Sequence, residues 1–291
     1  MALWIFFLRK NVTSFIFSID IIEHVLYYIK CQIIKHVLIN LHAADRKKAD
    51  MKITYWSDYA CPYCYIGEAR MKKALEEIAE KENIDIEIEM KAFQLDPSAG
   101  EHATGDTQTR FAKKYGISYE HAGRSIEHIS EMGRDEGIDF RYATTLFTNT
   151  MDAHRLTKLA QSKADPEIAD KVIEKLFAAY FTDNKELADK ELLQQIGEEC
   201  GLDAAEVKEV LSSDKYRDEV IADETQAASY GIHAVPFFVI GEYGISGAQT
   251  TEGMKQTMLK VLGEEKLAKV AKAAQTSGGM TCGPDGCELH Y

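Results

Sequence analysis

The chain is short of the features that would place it in several classes at once. Cysteine is sparse, six in 291 residues, too few for a scaffold built on disulfides. Basic residues are outnumbered, 34 Lys and Arg against 47 Asp and Glu, for a net charge of −13. Nucleic-acid binding needs a basic face to neutralise phosphates, so no nucleic-acid partner is expected. A membrane-spanning helix needs about 18 or more mostly uncharged apolar residues, and the most apolar region is broken by Asp20, Glu23, Lys30 and Lys35. No internal repeat is visible. What remains is a globular composition, 45% hydrophobic and 28% charged. The length suits about two domains and a sizeable core.

Residues 1–50 differ from the rest. They hold seven Lys and Arg against four Asp and Glu, so residues 51–291 carry the whole acidic excess. Their apolar run Trp4 to Leu8 precedes Arg9-Lys10, the reverse of a secretory signal, and no small-residue cleavage site closes it. Ile22, Leu26, Ile29, Ile33 and Val37 recur at helical spacing, so an amphipathic helix on a partner or a membrane surface is one reading. The favoured expectation is that translation starts at Met51 and that 1–50 is an over-extended start. Cys31 lies there and is given no role.

From Met51 onward the chain reads as a split α/β unit. Lys52 to Trp56 is a short β-rich run. Pro62 opens a helix, a favoured position for proline, and Ile66, Met71, Leu75 and Ile78 mark its apolar face to about Lys81. Ile84, Ile86, Ile88 and Met90 alternate with charged residues, a strand with one wet face near a sheet edge. Helical periodicity then holds from Asp96 to about Tyr230, with Asp203 and Glu206 as a capping-box-like start. Val235 to Ile240 is a strand, Gly241 to Gly244 a turn, and Ile245 starts the return strand. Thr251 to about Ala274 is a final helix. The expected units are 51–95 and 229–274 as one sheet domain, 96–228 as a helical insertion, and 275–291 as a flexible tail.

The chemistry is concentrated at Cys61-Pro62-Tyr63-Cys64. A C-x-x-C after a strand sits at a helix N-terminus, where free N–H groups and the macrodipole favour an anion. The Cys61 thiolate would attack a disulfide, and Cys64, one turn on, would resolve the mixed disulfide. By position Cys61 should be the exposed partner and Cys64 the sheltered one. A zinc site needs about four ligands; no second C-x-x-C is present, though Cys282, Cys287 and His290 could contribute. Redox is the expected use, with no metal.

The segments KITYWSDYACPYCYIGEARMKKAL and HAVPFFVIG resemble the thioredoxin superfamily, in its DsbA-like branch with a helical insertion. YWSDYACPYCYIGE, LFTNTMDAHRL, AVPFFVI and CGPDGC, in that order, resemble the FrnE-type DsbA-like oxidoreductases over about residues 51–291. The resemblance implies a thioredoxin fold with a large inserted all-helical domain. It also implies a cis peptide at Val235-Pro236 beside the active cysteines. From sequence alone, Pro236 would be a trans proline opening a strand. Tyr63 departs from the histidine of the periplasmic DsbA enzymes, so a less stabilised thiolate is expected and the direction of electron flow stays open.

Cys282 and Cys287 enclose Gly-Pro-Asp-Gly, a turn-forming run that lets the two cysteines meet. A second redox pair that exchanges with Cys61–Cys64 is expected. A passive staple and a metal site with His290 are the alternatives. His233 is a candidate to tune the C-x-x-C, or a solvent-facing residue. Asn149 and His154 are candidates for the cleft, or for capping and packing. Trp56 is core or cleft floor, and Cys200 shares an apolar stripe with Leu193 and Ile196 as a buried thiol.

The expected function is that of a cytoplasmic thiol–disulfide oxidoreductase acting on protein or small-molecule disulfides and thiols. No organic cofactor is required, and glutathione or another thiol is the candidate co-substrate. A glutathione-dependent isomerase or kappa-type transferase shares the architecture but usually carries serine in place of the first cysteine. A non-catalytic thiol metal binder or chaperone is the third reading.

Overall fold

The computed structural model describes residue 49 and residues 51–79, 84–276, 280–283 and 286–289. The expectations for residues 1–48, including Cys31, and for His290 lie outside the described residues. Ala49–Tyr291 form one compact unit.

A four-stranded sheet has the order β2-β1-β3-β4. Strand β1 (Met51–Ser57) runs parallel to β2 (Ile86–Ala92), with Ile53 opposite Ile88, and antiparallel to β3 (Phe237–Ile240), with Tyr55 opposite Phe238. β3 turns back into β4 (Tyr243–Ser246). The charged alternation of β2 places it at the edge, and there even its apolar row is partly wet: Ile88 is 37% exposed.

Period two in β1 divides its side chains between two cores. Ile53 and Tyr55 face α1 (Pro62–Ala79) and α9 (Thr251–Thr276), with Ile66, Met71, Phe238, Met254 and Met258 in the same cluster. Trp56 points the other way, against Ala227 and Ile232. Its indole N–H donates to the Asp223 carbonyl at 3.0 Å, so the ring is buried with its one polar atom satisfied. Trp56 is therefore core beneath α8 (Arg217–Ser229), and not the cleft floor.

Helices α2 (Thr107–Tyr115), α3 (Tyr119–Asp135), α4 (Met151–Gln161), α5 (Pro166–Phe181), α6 (Lys190–Glu199) and α7 (Ala204–Ser212) occupy the segment expected to be helical. A 3₁₀ turn covers Tyr142–Thr144. Their starts are written locally: Asp106, Ser118, Asp165, Asp189 and Asp203 each accept a backbone N–H of the first turn. α8 ends at Ser229, next to the expected boundary at 228. It packs on β2 and on Trp56, and its Asp223 accepts the Ala92 N–H at 2.9 Å and pairs with Lys91 at 3.1 Å and with Lys158 of α4. A buried carboxylate with those three partners ties α8 to β2 and to α4.

Past α9, the backbone forms a hairpin of β5 (Met280–Gly283) and β6 (Gly286–Leu289). Cys282 and Cys287 are directly opposed across it.

Candidate active site

The C-x-x-C loop is held from three sides. The Asp58 carbonyl accepts the Cys61 N–H at 3.0 Å, and the Cys61 carbonyl accepts the Cys64 N–H at 3.1 Å. These turns seat Pro62 as the first residue of α1. The Asp58 carboxylate is buried and accepts the Ala60 N–H at 3.3 Å and the Leu95 N–H at 2.7 Å. The helical block supplies the second side: Tyr59 of the loop packs between its His154 and Phe177, at 5.0 and 4.9 Å between ring centroids, and the Tyr59 hydroxyl bonds Thr157. Tyr65 stacks on Phe177 nearly coplanar, at 4.9 Å.

The third side is the loop entering β3. The Val235–Pro236 peptide is cis, as the resemblance implies. The Cys61 thiol donates to the Val235 carbonyl at 3.5 Å. Gly67, in the second turn of α1, makes this approach possible. A Cβ there would stand 3.2 Å from Pro236 Cγ, 3.3 Å from the Phe238 ring and 3.4 Å from Ala248 Cα.

Cys61 and Cys64 are free thiols in contact with each other. Burial pushes the Cys64 thiol well above its ordinary range, and its contact with Cys61 pushes it further. The Ser57 hydroxyl and the Asp58 backbone N–H pull it partly back. Both cysteines are buried, Cys61 at 4% exposure and Cys64 at 1%. The expectation of an exposed Cys61 is thus corrected. The Val235 loop lies on its sulphur, and Tyr63, Tyr115 of α2 and Tyr142 are close enough to feel its charge. Tyr63 and Tyr115 are the accessible members, 39% and 56% exposed. Tyr115 and Tyr142 had no signal in the sequence, since nothing in their local pattern links them to Cys61.

The other candidates scatter. Pro62, Tyr63, Val235 and Pro236 surround the cysteines. His233 is exposed. His154 is buried at 1%, so it packs under the loop and does not line an open cleft. Asn149 accepts the Met151 N–H at 2.8 Å and donates to the Pro97 carbonyl at 3.1 Å, a capping role at the start of α4. It borders a polar cavity of about 550 Å³ whose walls include neither cysteine. Cys200 is buried, as expected, and burial raises its thiol.

A family model described as a DSBA-like thioredoxin domain matches residues 52–259. A crystal structure described as a probable DsbA oxidoreductase from Streptomyces coelicolor is 33% identical, with a TM-score of 0.67 over 83% of this chain and all of that one. The uncharacterized protein YwbO of Bacillus subtilis (strain 168) is 26% identical over 205 residues, 67% of this chain and 90% of its own. A 2-hydroxychromene-2-carboxylate isomerase shares the fold at 15% identity, with a TM-score of 0.53 over 77% of this chain and 99% of that one. With strand, C-x-x-C helix and cis-proline loop arranged as described, the chain belongs to the DsbA-like thioredoxin family of thiol–disulfide oxidoreductases.

Proposed function

We propose that Cys61 and Cys64 are the redox pair, and that Cys61 is the attacking thiol. The observation carrying this reading is the contact between the two sulphurs at the N-terminus of α1, with Cys64 the deeper and the one whose thiol is raised. In reduction, the Cys61 thiolate attacks one sulphur of a substrate disulfide. The substrate S–S bond breaks and the leaving sulphur departs as a thiol. Cys64 gives up its proton and attacks Cys61, so the Cys61–substrate bond breaks and the second substrate thiol leaves. The substrate gains two electrons and two protons, and Cys61–Cys64 becomes a disulfide. Oxidation runs the same steps backward. Glutathione or another thiol would recycle the pair, in the cytoplasmic setting expected from the sequence.

Pro236 and Val235 belong to the site as the surface against which a substrate chain is held, and Tyr63 and Tyr115 as its accessible rim. Cys282 and Cys287 are proposed as a second redox pair. Directly opposed residues on antiparallel strands lie about 4.5–5.5 Å apart between Cα atoms, inside the span a disulfide bridges. This arrangement and the CGPDGC motif suit the FrnE-type subgroup.

Insulin reduction with dithiothreitol or glutathione as electron donor tests the reading. Cys61→Ser is expected to abolish turnover. Cys64→Ser is expected to stop at a mixed disulfide on Cys61, visible by mass spectrometry. Turnover retained in Cys61→Ser would overturn the assignment. The isomerase and transferase alternative predicts glutathione-dependent activity that survives loss of Cys64.

A further inference from the structure

Behind the C-x-x-C, the helical block meets the active-site loop through two buried polar contacts, Tyr59 with Thr157 and His154 with Asp58. His154 of α4 and Asp58 of the loop after β1 are each 1% exposed. His154 Nε2 stands 3.6 Å from Asp58 Oδ1, beyond hydrogen-bond range, and has no hydrogen-bond partner. A ring nitrogen buried without a partner is costly unless the pair is charged. Asp58 is also the hub of the loop. Its carbonyl holds the Cys61 N–H, its own N–H faces the Cys64 sulphur, and its carboxylate holds Ala60 and Leu95. The surrounding titratable groups are Glu224 of α8, which feels both members, Tyr59 against the imidazole, and Tyr180 of α5, which feels Asp58 and has Arg110 of α2 nearby. Asp223, next to Glu224, is paired with Lys91 and Lys158.

We propose that His154 is a positioning residue for the thiol–disulfide reaction: acting through Asp58, its proton sets the redox equilibrium of Cys61–Cys64. The inference rests on Cys61–Cys64 being the redox pair. With the imidazole protonated, the pair has no net charge, and a thiolate formed at the start of α1 meets no uncompensated anion beneath it. With the imidazole neutral, the buried carboxylate opposes that thiolate in a medium that screens poorly. Protonation of His154 therefore favours the dithiol form, and loss of the proton favours the disulfide.

The test equilibrates the full chain with glutathione and its disulfide. Two glutathione thiols supply two electrons and two protons, the Cys61–Cys64 bond breaks, and one glutathione disulfide forms. At pH 6, His154→Gln is expected to shift the equilibrium about tenfold toward the protein disulfide, about 30 mV, with the difference from wild type shrinking by pH 8. At pH 8, where the neutral imidazole leaves the carboxylate uncompensated, Asp58→Asn should shift it the opposite way, and His154→Gln should add nothing in that background. In unsubstituted protein labelled with ¹⁵N-histidine, the His154 ring signals should titrate at higher pH in the reduced form than in the oxidised form, since the coupling is reciprocal. A folded His154→Gln within twofold of wild type at both pH values overturns the inference. So do ring signals that titrate identically in both redox forms, a result that needs no variant to fold. A wild-type pair that does not equilibrate with glutathione overturns the redox reading itself, and the inference with it.

Discussion

The thiol of Cys61 and the carbonyl of Val235 are 3.5 Å apart across 174 residues of sequence. The contact brings the first turn of α1 against the loop that enters β3, and it depends on Gly67 having no side chain, since a Cβ there would crowd Pro236, Phe238 and Ala248 at once.

Gly67→Val should therefore push the Pro236 loop away from Cys61. Two of the three neighbours are rigid, a proline ring and a backbone Cα, so the strain is not relieved by a rotamer change. Overpacking of this kind costs about 1–3 kcal/mol. Insulin reduction should fall at least tenfold, with a lowered Tm. Unchanged activity would mean that the loop can shift without consequence for the thiol.

The raised Cys64 thiol sets the pH dependence of the resolving step. Burial is its main cause, and burial persists when Cys61 is tied up with substrate. Only the thiolate attacks, so the lifetime of a mixed disulfide on Cys61 should shorten about tenfold per pH unit and keep shortening above the ordinary thiol range of about 8.5. Stopped acid-quench and mass spectrometry of a Cys61–glutathione adduct between pH 6 and 10 measure this. A plateau below pH 8 would contradict it.

Much of this site was legible. A β-rich run, C-x-x-C and an apolar-striped helix fix where Cys61 and Cys64 sit, and the Val235–Pro236 loop and its hairpin follow from short-range pattern. Asp58 reads only as the end of a strand, because its partners Leu95 and His154 are distant in sequence. His154 reads equally as a cleft or a packing residue, because nothing local shows that α4 is buried almost all round, with Arg155 satisfied by the carbonyls of Val210, Ser213 and Lys215. The attachment of α8 to the sheet runs through Asp223 and the Trp56 indole, which leave no periodic trace in the sequence.

Glu136 should hold α1 to α3 through charge. It accepts from Arg70 and Lys73 at 2.6 Å each, and Arg70 also donates to the Ala248 carbonyl at 3.0 Å. The Glu136 side chain is 12% exposed. Burial alone would raise its carboxyl, but the bonds from Lys73 and Arg70 outweigh burial and lower it. A carboxyl lowered on folding stabilises above its unfolded value, about 4.3, and that contribution is lost as pH falls through the folded value. Glu136→Gln should cost about 1–3 kcal/mol at pH 7, with the gap from wild type closing below about pH 4. Denaturant unfolding at both pH values measures it; a gap independent of pH would assign the loss to packing.

The tail cysteines separate from the core in what they should control. Cys282 and Cys287 are backbone register partners in a two-stranded hairpin that forms its own sheet. A disulfide there closes a loop of only a few residues, so the chain entropy it removes from the unfolded state is small. Replacing both with Ser should leave the Tm of the protein within about 2 °C, less than a 1 kcal/mol change produces at this size. Catalytic turnover should change several-fold, because an exchangeable pair offers the Cys61–Cys64 disulfide a second route for electrons. Insulin reduction and thermal unfolding on the same double variant decide between the roles: altered turnover at constant Tm supports exchange, and unchanged turnover leaves a local staple.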